Sequence, residues 1–292
     1  MKTLLALQHR TRYAFDRPVT LAPHLIRLHP APHCRTSIRA YALNVRPQEH
    51  LLYWQQDATA NRIARLVFSS QARELAITVD MGVEIDDTNP FDFLVDPYAA
   101  SFPFAYPPVL QRELSTFLTI DERGPGLLEW IRAFRKDNAD GALSTTDFLV
   151  ELNRRLNGDV VHVLRMEAGV QTPDQTLQAG NGSCRDSGWL LVQILRHCAI
   201  AARFVSGYLI QLDIDGGAGT NRDSLGLHAW AEAFVPGAGW IGLDPTSGLL
   251  TGQRHIPLAT GALPETTAPV DGTTSQAEVE LSFDMSVTRL PQ

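Results

Sequence analysis

The stretch NGSCRDSGWL, residues 181–190, predicts the central element of this fold. A Gly/Ser turn leads directly into Cys184, and an apolar helical pattern follows it. The residues of that pattern recur every three or four positions: Leu190, Leu191, Ile194, Leu195 and Cys198. This spacing predicts an amphipathic helix with Cys184 in its first turn. The helix dipole and the unpaired N–H groups of a first turn favour a thiolate, so the stretch indicates a nucleophilic cysteine.

A nucleophilic cysteine needs an imidazole partner, and the chain offers one downstream. His228 lies in the strand-like run 227–235, and Asp244 ends the run 239–244. A short Pro-Gly loop joins the two runs, which predicts an antiparallel hairpin. The hairpin would place the carboxylate against the imidazole and leave the second ring nitrogen for Cys184. These are the nucleophile, base and orienting group of a catalytic triad.

Other interpretations of these residues stay open. A cysteine at a helix start can be inert, a histidine on a strand can belong to the framework, and an Asp before Pro is a common turn former. On these interpretations the chain is a non-catalytic peptide-binding module that keeps the fold. A further alternative is a zinc hydrolase, although the spacing of its ligands matches no known site. The candidate ligands would be Cys184, Cys198, His197 and His255.

Residues 1–86 are predicted to form an antiparallel β-sandwich. Strand-like runs alternate with prolines and polar turns, and nothing has helical length and spacing. The runs are 4–7, 24–28, 38–45, 63–68 and 75–85. The histidines of this part are scattered and are expected to be framework residues: His9, His24, His33 and His50.

Residues 87–122 are predicted to be a linker rich in aromatic residues and proline. Proline removes backbone donors and clashes with a preceding helical turn, so no helix is expected here. The aromatic rings are too numerous for a loose tether, and we expect them to pack at the interface between the domains. A wall of a peptide-binding groove is the functional alternative.

Residues 123–292 are predicted to form an α+β catalytic core. Two amphipathic helices are expected over 126–135 and 145–157, the second closed by Gly158. Strands are then expected on both sides of the Cys184 helix and at 278–287. The segment 246–276 is rich in Thr, Pro, Ala and Gly and is predicted to be mostly loop.

Composition excludes several classes of protein. The chain has 292 residues and a formal net charge of -7 with no basic stripe, which argues against nucleic-acid binding. No run approaches the roughly 18 apolar residues of a membrane span. Three cysteines without a CxxC pair are consistent with a reducing compartment, so a cytoplasmic location is expected. The sequence predicts no cofactor and no metal.

The motifs of this chain resemble those of bacterial transglutaminase-like proteins. The core motifs are 182–186 (GSCRD), 201–208 (AARFVSGY), 228–230 (HAW) and 240–246 (WIGLDPT). The segments 9–13 (HRTRY) and 25–30 (LIRLHP) resemble the β-sandwich domain that precedes this core in one bacterial subfamily.

The resemblance implies a papain-like core with Cys184, His228 and Asp244 as its triad. It also implies acyl transfer at an amide of a peptide or protein. Hydrolysis results when water accepts the acyl group, and cross-linking results when an amine does; hydrolysis is favoured here. The backbone N–H of Cys184 is the expected oxyanion donor. Gln171 is a candidate for the second one.

Overall fold

The computed structural model of the chain describes residues 2–86, 88–138, 143–213 and 223–291. Strands dominate both ends of the described chain, and the helices lie between residues 108 and 197. The strands are β1 (Thr3–Val19), β2 (His24–Ile26), β3 (Ser37–Arg46), β4 (His50–Gln56), β5 (Arg62–Phe68), β6 (Ala72–Ile85), β7 (Val161–His162), β8 (Asn181–Gly182), β9 (Ala202–Gln211), β10 (Ser224–Val235), β11 (Gly239–Asp244), β12 (Leu249–Leu250), β13 (His255–Gly261), β14 (Val270–Asp271) and β15 (Val279–Arg289). The helices are α1 (Pro108–Glu113), α2 (Ser115–Leu118), α3 (Pro125–Asp137), α4 (Thr145–Asp159), α5 (Pro173–Ala179) and α6 (Cys184–His197).

The N-terminal strands form an antiparallel β-sandwich, as the sequence predicts. Within the described residues its sheets have the orders β15-β1-β6-β3 and β14-β2-β5-β4. Along β6, buried residues alternate with partly exposed ones from Ile77 to Ile85. They share one hydrophobic core with Ile26 and Leu66 of the other sheet. The period of two in the sequence therefore marks the inward face of the sandwich.

The last strands of the chain return to this sandwich. β15 pairs antiparallel with β1 from Leu5↔Arg289 to Phe15↔Val279, and β14 pairs with β2. The alternation in 278–287 predicts a strand, but it carries no information about the partner strand. The predicted core of 123–292 thus includes two strands that pair outside the central sheet.

The second half of the chain is built on a central antiparallel sheet of order β12-β11-β10-β9-β13. Helix α6 packs on this sheet, and Leu190, Leu191 and Ile194 lie fully buried in the shared core. Gly188 allows the close approach, because a Cβ there would contact the ring of Phe204 and the backbone of Trp230. Helices packed on an antiparallel sheet confirm the predicted α+β class.

The predicted hairpin of the central sheet is confirmed. β10 and β11 pair from Ala231↔Leu243 to Val235↔Gly239. Gly237 and Gly239 in the connection have φ values of 86° and 78°, in the left-handed region that glycine adopts without a steric penalty.

Three local predictions were wrong. The segment 246–276 contains β13, which pairs with β9 at the edge of the central sheet, a position where the missing N–H of Pro257 is tolerated. Helix α4 continues past Gly158 and is capped at its start by Ser144, which accepts from the backbone of Asp147. Helix α1 begins in the proline-rich segment, because proline is well suited to the first helical position.

Phe102 and Tyr106 of the segment 87–122 pack against the second half of the chain, whereas Phe91 and Tyr98 are largely exposed. Phe102 stacks on Phe148 of α4 with ring centroids 3.6 Å apart. The hydroxyl of Tyr106 donates to the carbonyl of Phe234 at 2.7 Å and accepts from the backbone of Ala201 at 3.0 Å. The packing of Phe102 and Tyr106 accounts for part of the aromatic content of this segment.

The helices of the described residues are too short or too polar for any of them to cross a lipid bilayer.

Gly207 offers a test of how tightly the central sheet is packed. It lies on β9 opposite His228, and a Cβ there would collide with the indole of Trp230 and the carbonyl oxygen of Ile256. We expect Gly207→Ala to lower the free energy of unfolding by about 1–3 kcal/mol, the usual cost of overpacking. Gly226→Ala on β10 is the matched control, because a Cβ at that position meets nothing within 4 Å. Urea denaturation measures both, and equal stability of the two variants would contradict the packing argument.

Candidate active site

The start of α6 is held by a buried carboxylate. Asp186 lies in the first turn, and its side chain is fully buried. It accepts hydrogen bonds from the backbone N–H and the hydroxyl of Ser183 at 2.8 and 2.7 Å. Arg165 donates to both carboxylate oxygens at 2.9 Å, and the backbone N–H of Gln171 donates at 2.7 Å. Asp186 therefore ties the segment 165–171 to the turn that carries Cys184.

These hydrogen bonds keep Asp186 ionised. Burial alone would raise the pKa of Asp186, but the donors from Arg165, Gln171 and Ser183 outweigh it and lower the pKa to about 2. The negative charge also lies at the positive end of the helix dipole, which stabilises it further.

We expect Asp186→Asn to lower the free energy of unfolding by about 3 kcal/mol, because it removes the buried carboxylate that pairs with the mostly buried guanidinium of Arg165. The lowered pKa predicts that the difference from the parent chain is full above about pH 4 and shrinks as the pH falls towards 2. Asp147→Asn is the matched control, since Asp147 occupies the first turn of α4 and is exposed. Urea denaturation across this pH range is the measurement. A loss no larger than that of the control would refute the assigned role.

The imidazole of His228 and the carboxylate of Asp244 are in contact. The distance from His228 Nε2 to Asp244 Oδ2 is 3.1 Å, and the two side chains are 8% and 1% exposed. The pairing of β10 with β11 starts at Ala231, so His228 lies beyond the paired residues of that hairpin. His228 is therefore not paired with a residue of β11.

Asp244 is fixed by the turn that follows it. Its Oδ1 accepts from the backbone N–H and the hydroxyl of Thr246 at 2.9 and 2.8 Å, and its Oδ2 accepts from the hydroxyl of Ser247 at 3.1 Å. The imidazoles of His228 and His255 outweigh burial and hold the pKa of Asp244 well below its ordinary value. A buried, permanently charged acceptor is thus aimed at His228.

Cys184 lies close enough to His228 to raise the pKa of its imidazole. The Nε2 atom of His228 faces Asp244, with the hydroxyl of Thr246 at 3.4 Å, so Nδ1 is the nitrogen left for the sulfur. Burial lowers the pKa of His228, but its contacts with Asp244 and Cys184 raise it more, to about 9. A proton held on this imidazole favours a thiolate beside it.

Two further histidines lie at this site, and sequence analysis did not single out either in this role. His255 of β13 contacts Asp244 Oδ2 through Nε2 at 3.3 Å, so one carboxylate oxygen faces two imidazoles. His162 is carried to the site by β7, which pairs with β8 two residues before Cys184. Burial and the neighbouring charge of His228 lower the pKa of His162.

The ligands of the zinc-hydrolase alternative are not brought together. Cys198 is buried in the hydrophobic core, and His197 Nε2 contacts the carbonyl of Glu122 at 2.8 Å. Among the described residues, a different group could hold a metal ion: His228, Asp244 and His255, whose ligand atoms all lie within 4.8 Å of one another.

The histidines of the sandwich are framework residues, as predicted. His9 contacts the hydroxyls of Tyr208 and Thr11 at 2.7 and 2.8 Å. His24 and His50 contact backbone carbonyls. His33 contacts Glu232 at 3.0 Å, a buried carboxylate that also pairs with Arg203.

Fold and site together define the class: a β-sandwich precedes an α+β core in which a cysteine at a helix start lies close to a buried His–Asp pair. Residues 5–84 match the bacterial transglutaminase-like N-terminal region, and residues 133–245 match the transglutaminase-like superfamily core. The chain belongs to the transglutaminase-like superfamily and carries this N-terminal region before the core.

The chain resembles known proteins over nearly its whole length. The chain is 26% identical over 290 residues to uncharacterized proteins of Mycobacterium bovis and Mycobacterium tuberculosis H37Rv, and the match covers 97% of this chain and 91% of each relative. The crystal structure of a proposed cysteine protease from Cytophaga hutchinsonii has a TM-score of 0.70 and 16% identity, covering 100% of this chain and 92% of that one. This likeness supports the fold alone.

Proposed function

We propose that this protein is a cysteine-dependent enzyme that transfers the acyl group of an amide bond, with water as the favoured acceptor. Cys184 is the nucleophile, His228 the acid and base, and Asp244 the orienting group. The proposal depends on one observation: His228 contacts the buried carboxylate of Asp244, and Cys184 at the start of α6 is near enough to raise the pKa of the same imidazole. The substrate class is a peptide or protein amide.

The geometry supports a two-step reaction. The thiolate of Cys184 attacks the carbonyl carbon, and the backbone N–H of Cys184 donates to the developing oxyanion. The C–N bond then breaks as His228 gives the proton at Nδ1 to the leaving amine. Neutral His228 next takes a proton from water, whose oxygen attacks the thioester; this releases the acid and restores the Cys184 thiolate beside a protonated His228. Asp244 keeps Nε2 protonated throughout and stabilises each imidazolium.

The second oxyanion donor is proposed to come from the segment that contains Gln171. This residue lies beside the helix start, because its backbone N–H donates to Asp186. Its side-chain oxygen accepts from the hydroxyl of Thr176 at 3.1 Å. That contact orients the amide of Gln171 and leaves its NH₂ group as the candidate donor.

Two alternatives remain as outcomes of the test. The family includes chains in which an amine accepts the acyl group, and the same Cys184 thioester would serve that reaction. A non-catalytic peptide-binding module would keep the fold without the thioester. The name of the Cytophaga hutchinsonii protein, a proposed cysteine protease, favours hydrolysis by analogy of fold.

The test is incubation with a peptide library, with and without a primary amine, followed by mass spectrometry. Chain cleavage that requires Cys184 supports the hydrolase. Ammonia loss with amine incorporation assigns the transamidase instead. No product in either arm, and no acyl-enzyme mass on Cys184, would identify a binding module. The Cys184→Ala variant is the control in every arm.

A further inference from the structure

We propose that His228, Asp244 and His255 form a binding site for a divalent transition-metal ion of the zinc type, and that the bound ion inhibits the enzyme. The site comprises the Nε2 atoms of both histidines and a carboxylate oxygen of Asp244. These ligand atoms all lie within 4.8 Å of one another. Two imidazoles and a carboxylate are a ligand set that zinc accepts in proteins.

The spacing of the ligand atoms fits one tetrahedral ion. Zinc–ligand bonds of about 2.0–2.1 Å place neighbouring ligand atoms about 3.3–3.4 Å apart. The distances from Asp244 Oδ2 are 3.1 Å to His228 Nε2 and 3.3 Å to His255 Nε2. Only small side-chain shifts separate this arrangement from a metal-bound one, with water in the fourth position.

His255 is available as a ligand because the proposed reaction does not use it. The triad already has its base in His228, so a second imidazole on Asp244 is not required for the proposed reaction. The other ring nitrogen of His255, Nδ1, is buried and has no hydrogen-bond partner in the structure. With its proton on Nδ1, a neutral His255 offers the lone pair of Nε2 to a metal ion. A cavity of about 240 Å³ reaches the His255 side chain.

Inhibition follows from where the proton must lie. A neutral imidazole that binds a metal through Nε2 carries its proton on Nδ1. In His228 that nitrogen faces Cys184, so the metal-bound ring has no lone pair with which to accept the thiol proton. The ion also occupies the Asp244 oxygen that would stabilise an imidazolium. This consequence rests on the proposed function, whereas the metal site itself does not.

The test is a titration of the purified full chain with ZnCl₂ in a non-chelating buffer, read by calorimetry. We expect the parent chain and Cys184→Ala to bind one ion each. His255→Gln should bind at least about tenfold more weakly, since even outer-shell changes at a metal site cost that much. His50→Gln is the matched control from the sandwich and should bind like the parent chain.

X-ray absorption of the zinc-loaded Cys184→Ala chain gives a second measurement that needs no histidine variant. A first shell with two imidazoles and oxygen supports the site, even if His255→Gln fails to fold. Zinc binding that is lost in Cys184→Ala and kept in His255→Gln would overturn the proposal in favour of a Cys–His site. Absence of binding would overturn it as well. Zinc binding without any loss of Cys184 alkylation would remove the inhibitory role and leave the metal site.

Discussion

Replacing His228 with glutamine is expected to slow alkylation of Cys184 at about pH 5.5 by up to about a thousandfold. An ordinary thiol with a pKa near 8.5 is only about 0.1% thiolate at that pH. In the parent chain the pKa of His228 is raised to about 9 by Asp244 and Cys184, despite burial. The imidazole therefore keeps its proton well above neutral pH and stabilises a thiolate. Glutamine has a similar size but no charge, so the thiolate would lose this support.

The measurement is the rate of iodoacetamide labelling as a function of pH, in the presence of EDTA, followed by peptide mapping. Cys34 and Cys198 serve as internal references, because burial raises the pKa of both thiols. His50→Gln is the matched variant and should label like the parent chain. Labelling of Cys184 that is slow and thiol-like already in the parent chain would refute the ion pair.

The sequence contains most of the information for the site because its signals are local. The helical spacing after Cys184 and the Pro-Gly connection between two short strands are each readable within a few residues. Together they predict an antiparallel hairpin that brings His228 close to Asp244, and the structure contains this hairpin. The contact of Cys184 with the hairpin cannot be derived this way, because it depends on how α6 crosses the sheet.

The features that the sequence did not predict depend on long-range pairing. β13 has the composition of a loop, and it becomes a strand because β9 offers an unpaired edge. His255 is placed on Asp244 only through that pairing. Similarly, β15 alternates convincingly, but its partner β1 lies at the opposite end of the chain. The β propensity of a segment and the alternation of its apolar residues predict a strand, but they do not identify the strand with which it pairs.

The role of Asp186 can be predicted only in part from the sequence. Its position three residues after Ser183 matches a helix-start pattern, in which a side-chain acceptor satisfies the first N–H groups. The pattern is visible in the sequence. The partner Arg165, which comes from the loop after β7, is a tertiary contact that no local pattern indicates.

The second large effect is expected from Asp244→Ala, which should lower kcat/KM for a cleaved library peptide by about 10²–10⁴-fold, the range found when a triad member is lost. Asp244 is 1% exposed and accepts from two imidazoles and from the turn at Thr246 and Ser247. Without the carboxylate, the Nε2 proton of His228 has no acceptor and the ring can adopt the wrong tautomer. The imidazolium formed after Cys184 attacks also loses its counter-charge.

A purely structural role for Asp244 predicts a different pattern of results. It would lower the melting temperature and leave the activity of the folded fraction unchanged, whereas the proposed role lowers kcat/KM in protein that is folded by circular dichroism. Alkylation of Cys184 at about pH 5.5 supplies a readout that needs no substrate, and it should fall together with kcat/KM because His228 loses the charge that keeps it protonated. Asp284→Ala on the exposed face of β15 is the control. A folded Asp244→Ala chain with parental alkylation and turnover would show that the carboxylate does not act through His228.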